Sequence, residues 1–342
     1  MKRTTYLLLL VFLFQLSFIS CLTPKTEQDK TALMVPELTG DWWQLTTTYP
    51  DISPYEYTPG DNKVCDFTIF QAADSSWQCI ACVRGNTYPG SHRFLYHWQA
   101  KHLTDTLWEP RGVFQATGVS TEKADGFGFT LDTTLYPATG KLQAPHCVRH
   151  NDKYYLFYNN DGARCKVSDD GLHWSDMKND AGNYEFFSMG RDVMILDDTP
   201  YSGKWIAYFT SGDKMPQYVA AKTSSTLTGS WSDEKMVYDG WSNSRSPIYP
   251  NEFAESPFVV RYQGKYYLFA QLHVFMSDDP LDFTDNHKVA VLESADYRKR
   301  VWAPEIIHYK GDDYLAAYRP SGLWMTRLSW KKEGSSENSG NK

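Results

Sequence analysis

One segment pattern recurs five times along the chain and restricts the fold more than any other feature. Each copy has an apolar strand, a turn rich in Gly, Asp or Asn, and a second strand rich in Tyr, Phe and Leu, which is the pattern of a β-hairpin. Two similar copies are ESPFVVRYQGKYYLF at residues 255–269 and QAPHCVRHNDKYYLF at residues 143–157. The five copies begin at Asp66, Ala144, Asp192, Ser256 and Ala303.

The spacing of the copies favours a β-propeller. They begin 47 to 78 residues apart, and a radial array of four-stranded blades buries the apolar face of each copy against its neighbours. A β-sandwich with an appendage is the nearest alternative, but it gives no reason for five copies in one register. We therefore predict an all-β, five-bladed β-propeller over residues 40–330. The segment GDWWQLTTTY, which starts at Gly40, is expected to add the outer strand that closes the ring with the last blade.

The N-terminus has the pattern of a secretory signal. Lys2 and Arg3 precede an apolar run over residues 6–18, which is shorter than a membrane-spanning helix requires. The segment LSFISC resembles a bacterial lipobox, which implies lipidation of Cys21 and a location in the bacterial periplasm or outer membrane. An ordinary signal cleaved near Cys21 is the alternative. Residues 22–39 are expected to form a linker and residues 331–342 a polar tail.

Charge and cysteine content exclude several classes of function. The net charge of −7 without a basic cluster argues against nucleic-acid binding. The five cysteines after Cys21 are interpreted as core residues, because CIAC at 79–82 has no second CxxC and no nearby His pair. A disulfide between Cys147 and Cys165 stays an alternative in an exported protein. We expect a monomer that touches a membrane only through its lipid anchor.

Three of the five copies carry an acid at an equivalent position. In a propeller the first strand of each blade lines the central channel, so the residues that precede its apolar run gather at one end, here called the mouth. The acids at the mouth are Asp66, Asp192 and Glu255. Acids gathered in a partly dry cavity push their pKa values apart, and glycoside cleavage needs one protonated acid and one carboxylate. Hydrogen bonding to the backbone, or pairing with Arg191, is the structural alternative for each of them.

The motifs at the mouth resemble those of the five-bladed propeller glycoside hydrolases of families 43, 32, 68 and 117, over roughly residues 60–330. The similar segments are CDFTIF, GRDV, AESP and VWAPEI, in chain order. The resemblance implies that Asp66 is the base or the nucleophile, that Asp192 orients the sugar and modulates the acid, and that Glu255 is the general acid. Phe67 and Val193 stand where these families usually have Pro.

Four further residues are candidates for substrate binding. Arg191 either bridges sugar hydroxyls or holds Asp192 ionised. His146 either binds a hydroxyl or is a structural histidine, and Trp302 either stacks on a sugar face or packs in the core. Glu305 is the rival of Glu255 for the role of acid, although it is placed inside a strand rather than before it.

The sequence therefore predicts an exported glycosidase that removes a terminal arabinofuranoside, xyloside or fructofuranoside from oligosaccharides or polysaccharides. No cofactor is expected, and no cluster of oxygen ligands for a structural Ca²⁺ is evident. A catalytically silent surface lipoprotein that binds glycans is the alternative, supported by Phe67 and Val193. A phosphorylase would need a basic phosphate pocket. The segment VSDDGLHW at 167–174 resembles a sialidase Asp-box, but the first-strand positions offer one arginine, Arg191, rather than a triad.

Overall fold

The computed structural model describes residues 33–47, 50–51, 64–85, 93–115, 142–212, 217–240, 254–271, 273–284, 288–292, 302–319 and 321–334. The chain separates into two compact units, one of residues 35–331 and one of residues 1–34 together with 332–342. In the smaller unit the Glu333 N–H donates to the Leu33 carbonyl at 2.8 Å. The predicted signal, Cys21 and most of the predicted linker and tail lie outside the described residues. Within the described ranges, no helix has the length and apolar character needed to cross a membrane.

The described residues are almost entirely β-structure. The strands in chain order are β1 (Met34–Gln44), β2 (Val64–Gln71), β3 (Trp77–Arg84), β4 (Arg93–Ala100), β5 (Glu109–Gln115), β6 (Gln143–His150), β7 (Lys153–Asn159), β8 (Ala163–Ser168), β9 (Ser175–Met177), β10 (Arg191–Asp198), β11 (Lys204–Ser211), β12 (Tyr218–Ser224), β13 (Lys235–Tyr238), β14 (Pro257–Tyr262), β15 (Lys265–Ala270), β16 (His273–Ser277), β17 (Lys288–Val291), β18 (Trp302–Tyr309), β19 (Asp312–Arg319) and β20 (Gly322–Lys332). A short helix, α1 (Thr199–Ser202), joins β10 to β11.

These strands form five four-stranded sheets in a ring. Blades one to four are β2 to β5, β6 to β9, β10 to β13 and β14 to β17, each in sequential order, and blade five is ordered β18-β19-β20-β1. Each innermost strand contacts the innermost strands of both neighbouring blades, so the ring closes around a central axis. The predicted five-bladed β-propeller is confirmed. The predicted closing strand is also present, although β1 begins at Met34, before the expected Gly40.

The core lies between blades, which explains why the second strands are apolar on both faces. In β11, with the sequence KWIAYFTS, every residue after Lys204 is buried. One apolar cluster joins blades one and five, one joins blades one and two, and one joins blades two and three. Blades one, two, three and five therefore bury apolar faces against a neighbouring blade, as a radial sheet array requires.

Ring closure depends on a close approach of the backbone near Gly322. The Leu45 N–H donates to the Leu323 carbonyl at 2.8 Å, and the Leu323 N–H donates to Thr46 Oγ1 at 3.1 Å. Gly322 has a φ of +120°, and a Cβ added there would lie 2.2 Å from the Thr46 carbonyl oxygen. This position therefore requires glycine both for its backbone conformation and for space.

A repeated backbone irregularity marks the start of the innermost strands. In four blades the residue at this place adopts a left-handed conformation: Ala144 (φ 47°), Asp192 (φ 62°), Ser256 (φ 51°) and Ala303 (φ 45°). In blade one, Asp66 is the extra residue of a β-bulge, because Cys65 pairs with Cys82 and Phe67 with Ala81. Such irregularities bend a strand and redirect its side chains. The bends occur at the five repeat starts that were identified from the sequence.

The cysteines and the Asp-box-like segment have structural roles. Cys65, Cys79, Cys82, Cys147 and Cys165 are all free thiols, so the alternative disulfide between Cys147 and Cys165 is not formed. All except the half-buried Cys147 are buried, which confirms their interpretation as core residues. In the Asp-box-like segment, Asp170 Oδ1 accepts from the backbone N–H groups of Leu172 (2.7 Å) and His173 (2.8 Å).

Candidate active site

The innermost strands of all five blades surround a small cavity on the propeller axis. Its volume is about 40 Å³, and it is lined by Asp66, Phe67, Ala144, Pro145, His146, Asp192, Val193, Met194, Ser256, Pro257, Phe258, Ala303, Pro304 and Glu305. The left-handed residues of four blades are in this lining, and so is Asp66. Glu255 directly precedes Ser256. The irregular starts of the innermost strands therefore place the three predicted acids close together at the axial cavity.

Arg191 connects two of the three acids. Its Nε and Nη2 atoms donate to Glu255 Oε1 at 3.0 and 2.8 Å. The same Nε lies 3.4 Å from Asp192 Oδ2. Glu255 Oε2 accepts from Gln271 Nε2 at 3.2 Å. Both oxygens of Glu255 therefore have partners within the protein, and Oε1 is held by the stronger, charge-assisted pair.

Asp192 is held by the third blade and by the start of the fourth. The Thr210 hydroxyl lies 3.0 Å from Asp192 Oδ2 and 3.2 Å from the Ala254 carbonyl oxygen. The Ser256 N–H points toward Asp192 Oδ2 at 3.4 Å and Thr210 Oγ1 at 3.1 Å. Thr210 is fully buried, so these contacts fix the relative positions of the two neighbouring blade mouths.

The electrostatic environment shows that the three acids interact. Burial raises the pKa of Asp66, and the negative charge of Glu255 raises it further, against the lowering effect of Arg84. Burial also raises the pKa of Asp192, and the charges of Asp66 and Glu255 add to the increase. Arg191 and the Thr210 hydroxyl lower the pKa of Asp192 but do not cancel the increase. Burial alone would lower the pKa of Arg191, whereas Asp192 and Glu255 outweigh it and raise that pKa.

His146 and Glu305 form a separate buried pair in the cavity wall. His146 Nε2 lies 3.2 Å from the Ile195 carbonyl oxygen, which can only accept, so this nitrogen carries a proton. Its Nδ1 faces Glu305 Oε1 at 3.5 Å, and Glu305 Oε2 accepts from the Ile69 N–H at 3.0 Å. Burial raises the pKa of Glu305, and His146 lowers it in part. The contacts of Glu305 are with blades one and two, whereas Glu255 is held by Arg191 and Gln271.

Trp302 is the one predicted substrate-binding residue that is not part of this arrangement. It opens β18, pairs with Tyr318 and is half-buried. Among the described residues that line the axial cavity, blade five contributes Ala303, Pro304 and Glu305 instead. The structure thus brings together Asp66, Asp192, Glu255, Arg191, His146 and Glu305.

Residues from the second and third strands complete the site, and sequence reading of the first strands missed them. Arg84 ends β3 and Arg93 opens β4, where the two are directly paired across the strands. Both arginines lower the pKa of Asp66, and the Arg93 guanidinium donates to Gln143 Oε1 at the mouth of blade two. The sequence feature that could have identified these two arginines is their position on either side of the turn between two apolar strands, because that turn lies at the same end of the blade as Asp66.

The described residues do not fit a metal site. Across those ranges, no group of three or more His, Cys, Asp or Glu side chains is arranged to hold a metal ion. A Ca²⁺ in the axial channel would need several oxygen ligands at about 2.3–2.6 Å.

Comparisons with known proteins identify the fold. No protein-family model and no curated protein matches the sequence. Solved structures do match. A thermostable family-43 glycoside hydrolase is 15% identical with a TM-score of 0.53, covering 83% of this chain and 98% of the other. A GH62 hydrolase in complex with xylotriose is 12% identical with a TM-score of 0.53, covering 86% and 98%. An α-L-arabinofuranosidase from Clostridium thermocellum is 16% identical with a TM-score of 0.50, covering 75% and 82%. This chain shares the propeller fold of these glycoside hydrolases.

Proposed function

We propose that the protein is an exported, lipid-anchored glycoside hydrolase that removes terminal furanoside or pentoside residues of the arabinofuranoside, xyloside or fructofuranoside type. The observation that carries this proposal is the convergence of Asp66, Asp192 and Glu255 at one propeller mouth, where the charge of Glu255 raises the pKa of both aspartates and the charge of Asp66 raises that of Asp192. The shared fold with family 43 and GH62 enzymes supports it. Export and the anchor at Cys21 rest on the pattern of residues 2–21.

Glu255 is assigned as the general acid. A general acid must present a proton to the glycosidic oxygen as the bond to the leaving group breaks. Oε1 of Glu255 is fixed by Arg191, whereas the contact of Oε2 with Gln271 is longer, at 3.2 Å. Oε2 is therefore the oxygen that exchanges its protein partner for the substrate and donates the proton.

Asp66 is assigned as the carboxylate that faces the anomeric carbon. It either removes a proton from the attacking water or forms a glycosyl ester that water then hydrolyses. In both cases the water oxygen becomes the anomeric hydroxyl, and the leaving alcohol receives the proton of Glu255. Asp192, which is tied to Arg191 and Thr210, holds Arg191 in place and adjusts the charge at the mouth.

The test compares two leaving groups. A nitrophenolate leaves without protonation, whereas a sugar alcohol needs the acid. With 4-nitrophenyl arabinofuranoside and xyloside, Glu255→Gln should keep much of its turnover, but it should lose about 10²–10⁴-fold on the matching disaccharide. Asp66→Asn should lose turnover of both substrates. Asp278→Asn, at an exposed site on blade four, serves as the control and should match the wild type.

Two outcomes would contradict the proposal. If Glu255→Gln loses both substrates equally and Asp66→Asn spares the nitrophenyl substrate, the two roles are reversed. If no variant and no wild-type protein turns over any furanoside or pentoside while glycans bind tightly, the catalytically silent glycan-binding lipoprotein is correct. Phe67 and Val193, both buried at the cavity wall, favour that second function.

A further inference from the structure

A second and larger cavity lies between blades one and five. Its volume is about 830 Å³, within the range of about 300–1,000 Å³ that is typical of ligand pockets. Blade one contributes its β2–β3 turn and its β4–β5 loop, and blade five contributes Tyr309 at the end of β18. Gln71, in its lining, ends the same strand that carries Asp66 near its start, which puts the two about 16 Å apart along β2.

Leu107 shows an unusual combination of exposure and backbone conformation in this cavity. Its exposed fraction is 57%, which makes it one of the most exposed large apolar residues in the described chain. Its φ of 51° is in the left-handed region, which a leucine rarely adopts. Strained residues of this kind cluster at ligand-binding places, so the outlier indicates a function for the loop.

The loop that carries Leu107 is fixed before any ligand binds. The N–H groups of Leu107 and Trp108 donate to the carbonyls of Gln44 (2.9 Å) and Leu45 (2.7 Å), near the end of β1. Within the loop, Asp105 Oδ2 accepts from the His102 N–H at 2.8 Å, and the Asp105 carbonyl accepts from Trp108 Nε1 at 2.9 Å. A rigid loop loses little conformational entropy on binding.

The cavity combines apolar surfaces with hydrogen-bonding side chains. Tyr309 faces it and is held edge-on by Trp77, with ring centroids 5.0 Å apart. The polar side chains in the lining include Gln71, Asp74, Gln99, Asp105 and Glu109. A sugar presents apolar C–H groups on its faces and hydroxyls at its edge, so it matches such a lining. The lining carries three carboxylates and two basic residues, Lys101 and His102, so its charge disfavours an anionic ligand.

We propose that this cavity is a second glycan-binding site, which takes a neutral oligosaccharide with one sugar ring against Leu107 and Tyr309. The choice of a glycan as the ligand rests on the proposed function. The site holds a polymeric substrate at a point remote from the mouth, and it does not take part in bond cleavage.

The experiment uses Glu255→Gln protein, in which the oligosaccharide survives, and isothermal titration calorimetry with xylotriose and arabinotriose. We expect two sites. Adding Tyr309→Ala or Leu107→Gly should weaken one of them about tenfold or more while leaving the other unchanged. Leu107→Gly removes the side chain at a backbone position that glycine prefers, so a loss of folding does not explain the result. Met236→Ala, at an exposed apolar residue of β13, is the matched control.

Failure of this inference differs from failure of the proposed function. A titration that shows one site, or two sites that neither cavity variant weakens, overturns the second binding site whatever the catalytic result. In an otherwise wild-type background, Tyr309→Ala should keep its turnover of 4-nitrophenyl substrates and lose turnover of the polymer. If the wild type cleaves nothing while Tyr309→Ala still weakens binding, the second site stands and the hydrolase does not.

Discussion

Replacing Asp192 by asparagine should stabilise the fold even though it damages the site. Asp192 is 7% exposed, and burial together with the charges of Asp66 and Glu255 raises its pKa well above the ordinary value. Asparagine keeps the size, accepts the Thr210 hydroxyl and tolerates the φ of 62°. The substitution therefore removes a charge that the folded state disfavours and leaves the backbone unchanged.

The size of the effect follows from proton linkage. Below the pKa of the unfolded state, about 3.9, aspartate is protonated in both states and the two proteins should be similarly stable. Above that pH the unfolded aspartate ionises while the folded one keeps its proton, so the wild type loses about 1.4 kcal/mol of stability per pH unit until the folded pKa is reached. The asparagine variant lacks this loss, so its advantage should grow with pH above pH 4, by up to about 1.4 kcal/mol per pH unit, until the folded-state pKa is reached.

Urea unfolding followed by tryptophan fluorescence at pH 4, 5, 6 and 7 measures this advantage. Asp278→Asn is the control, because the Asp278 side chain is 77% exposed; its difference from the wild type should stay within about 0.5 kcal/mol. An advantage of Asp192→Asn that does not grow between pH 4 and pH 6 would refute the reasoning. It would mean that Arg191, 3.4 Å away, outweighs burial and keeps Asp192 ionised in the folded protein.

Two further substitutions test the packing around the mouth and the ring closure. Thr210→Val keeps the shape of a fully buried residue but leaves Asp192 Oδ2 and the Ser256 N–H without their hydroxyl partner. Urea unfolding should therefore show that the free energy of unfolding falls by about 2–4 kcal/mol. Thr210→Ser, which keeps the hydroxyl, should restore most of this stability. Gly322→Ala places a Cβ 2.2 Å from the Thr46 carbonyl oxygen at a φ of +120°. This substitution should therefore lower the midpoint of thermal unfolding by several degrees. Gly334→Ala is the control and should have a smaller effect, because a Cβ added at Gly334 meets nothing within 4 Å. A Gly322→Ala protein with the stability of Gly334→Ala would show that β1 does not hold the ring closed there.

The fold could be predicted because the packing of each blade requires the same pattern of apolar and turn residues, which therefore repeats along the sequence. Each blade buries a strand pair on both faces, so the apolar run and the Tyr-Tyr or Tyr-Phe run had to recur, as in 258–269 and 146–157. The left-handed conformations of Ala144, Ser256 and Ala303 could not be predicted, because none is a glycine or an asparagine. The ring imposes those conformations by bringing five strand starts together, which is a tertiary effect.

The site was predictable to the extent that it lies on the first strands. A shared register placed Asp66, Asp192 and Glu255 at the mouth without any knowledge of loops. Arg84, Arg93 and Thr210 reach the site from neighbouring strands, and no repeat position marks them, because only some blades carry a functional residue there. The sequence left two roles open for Trp302, stacking on a sugar or packing in the core; in the structure, the described lining of the axial cavity takes Ala303, Pro304 and Glu305 from blade five.

The coupling of the acids limits what a pH profile can reveal about their roles. Arg191 contacts both Glu255 and Asp192, and Glu255 raises the pKa of Asp66, so a proton gained by one acid changes the field at the others. Groups that interact in this way titrate as a set, with apparent pKa values that belong to the set. Glu255→Gln would then abolish the limb of the acid and also move the limb of the partner carboxylate, because it removes the charge that raises the pKa of Asp66. The dependence of turnover on the leaving group is not affected by this coupling, because it reports which residue donates a proton to the departing oxygen. It is therefore the measurement that can separate the acid from its partner carboxylate at this mouth.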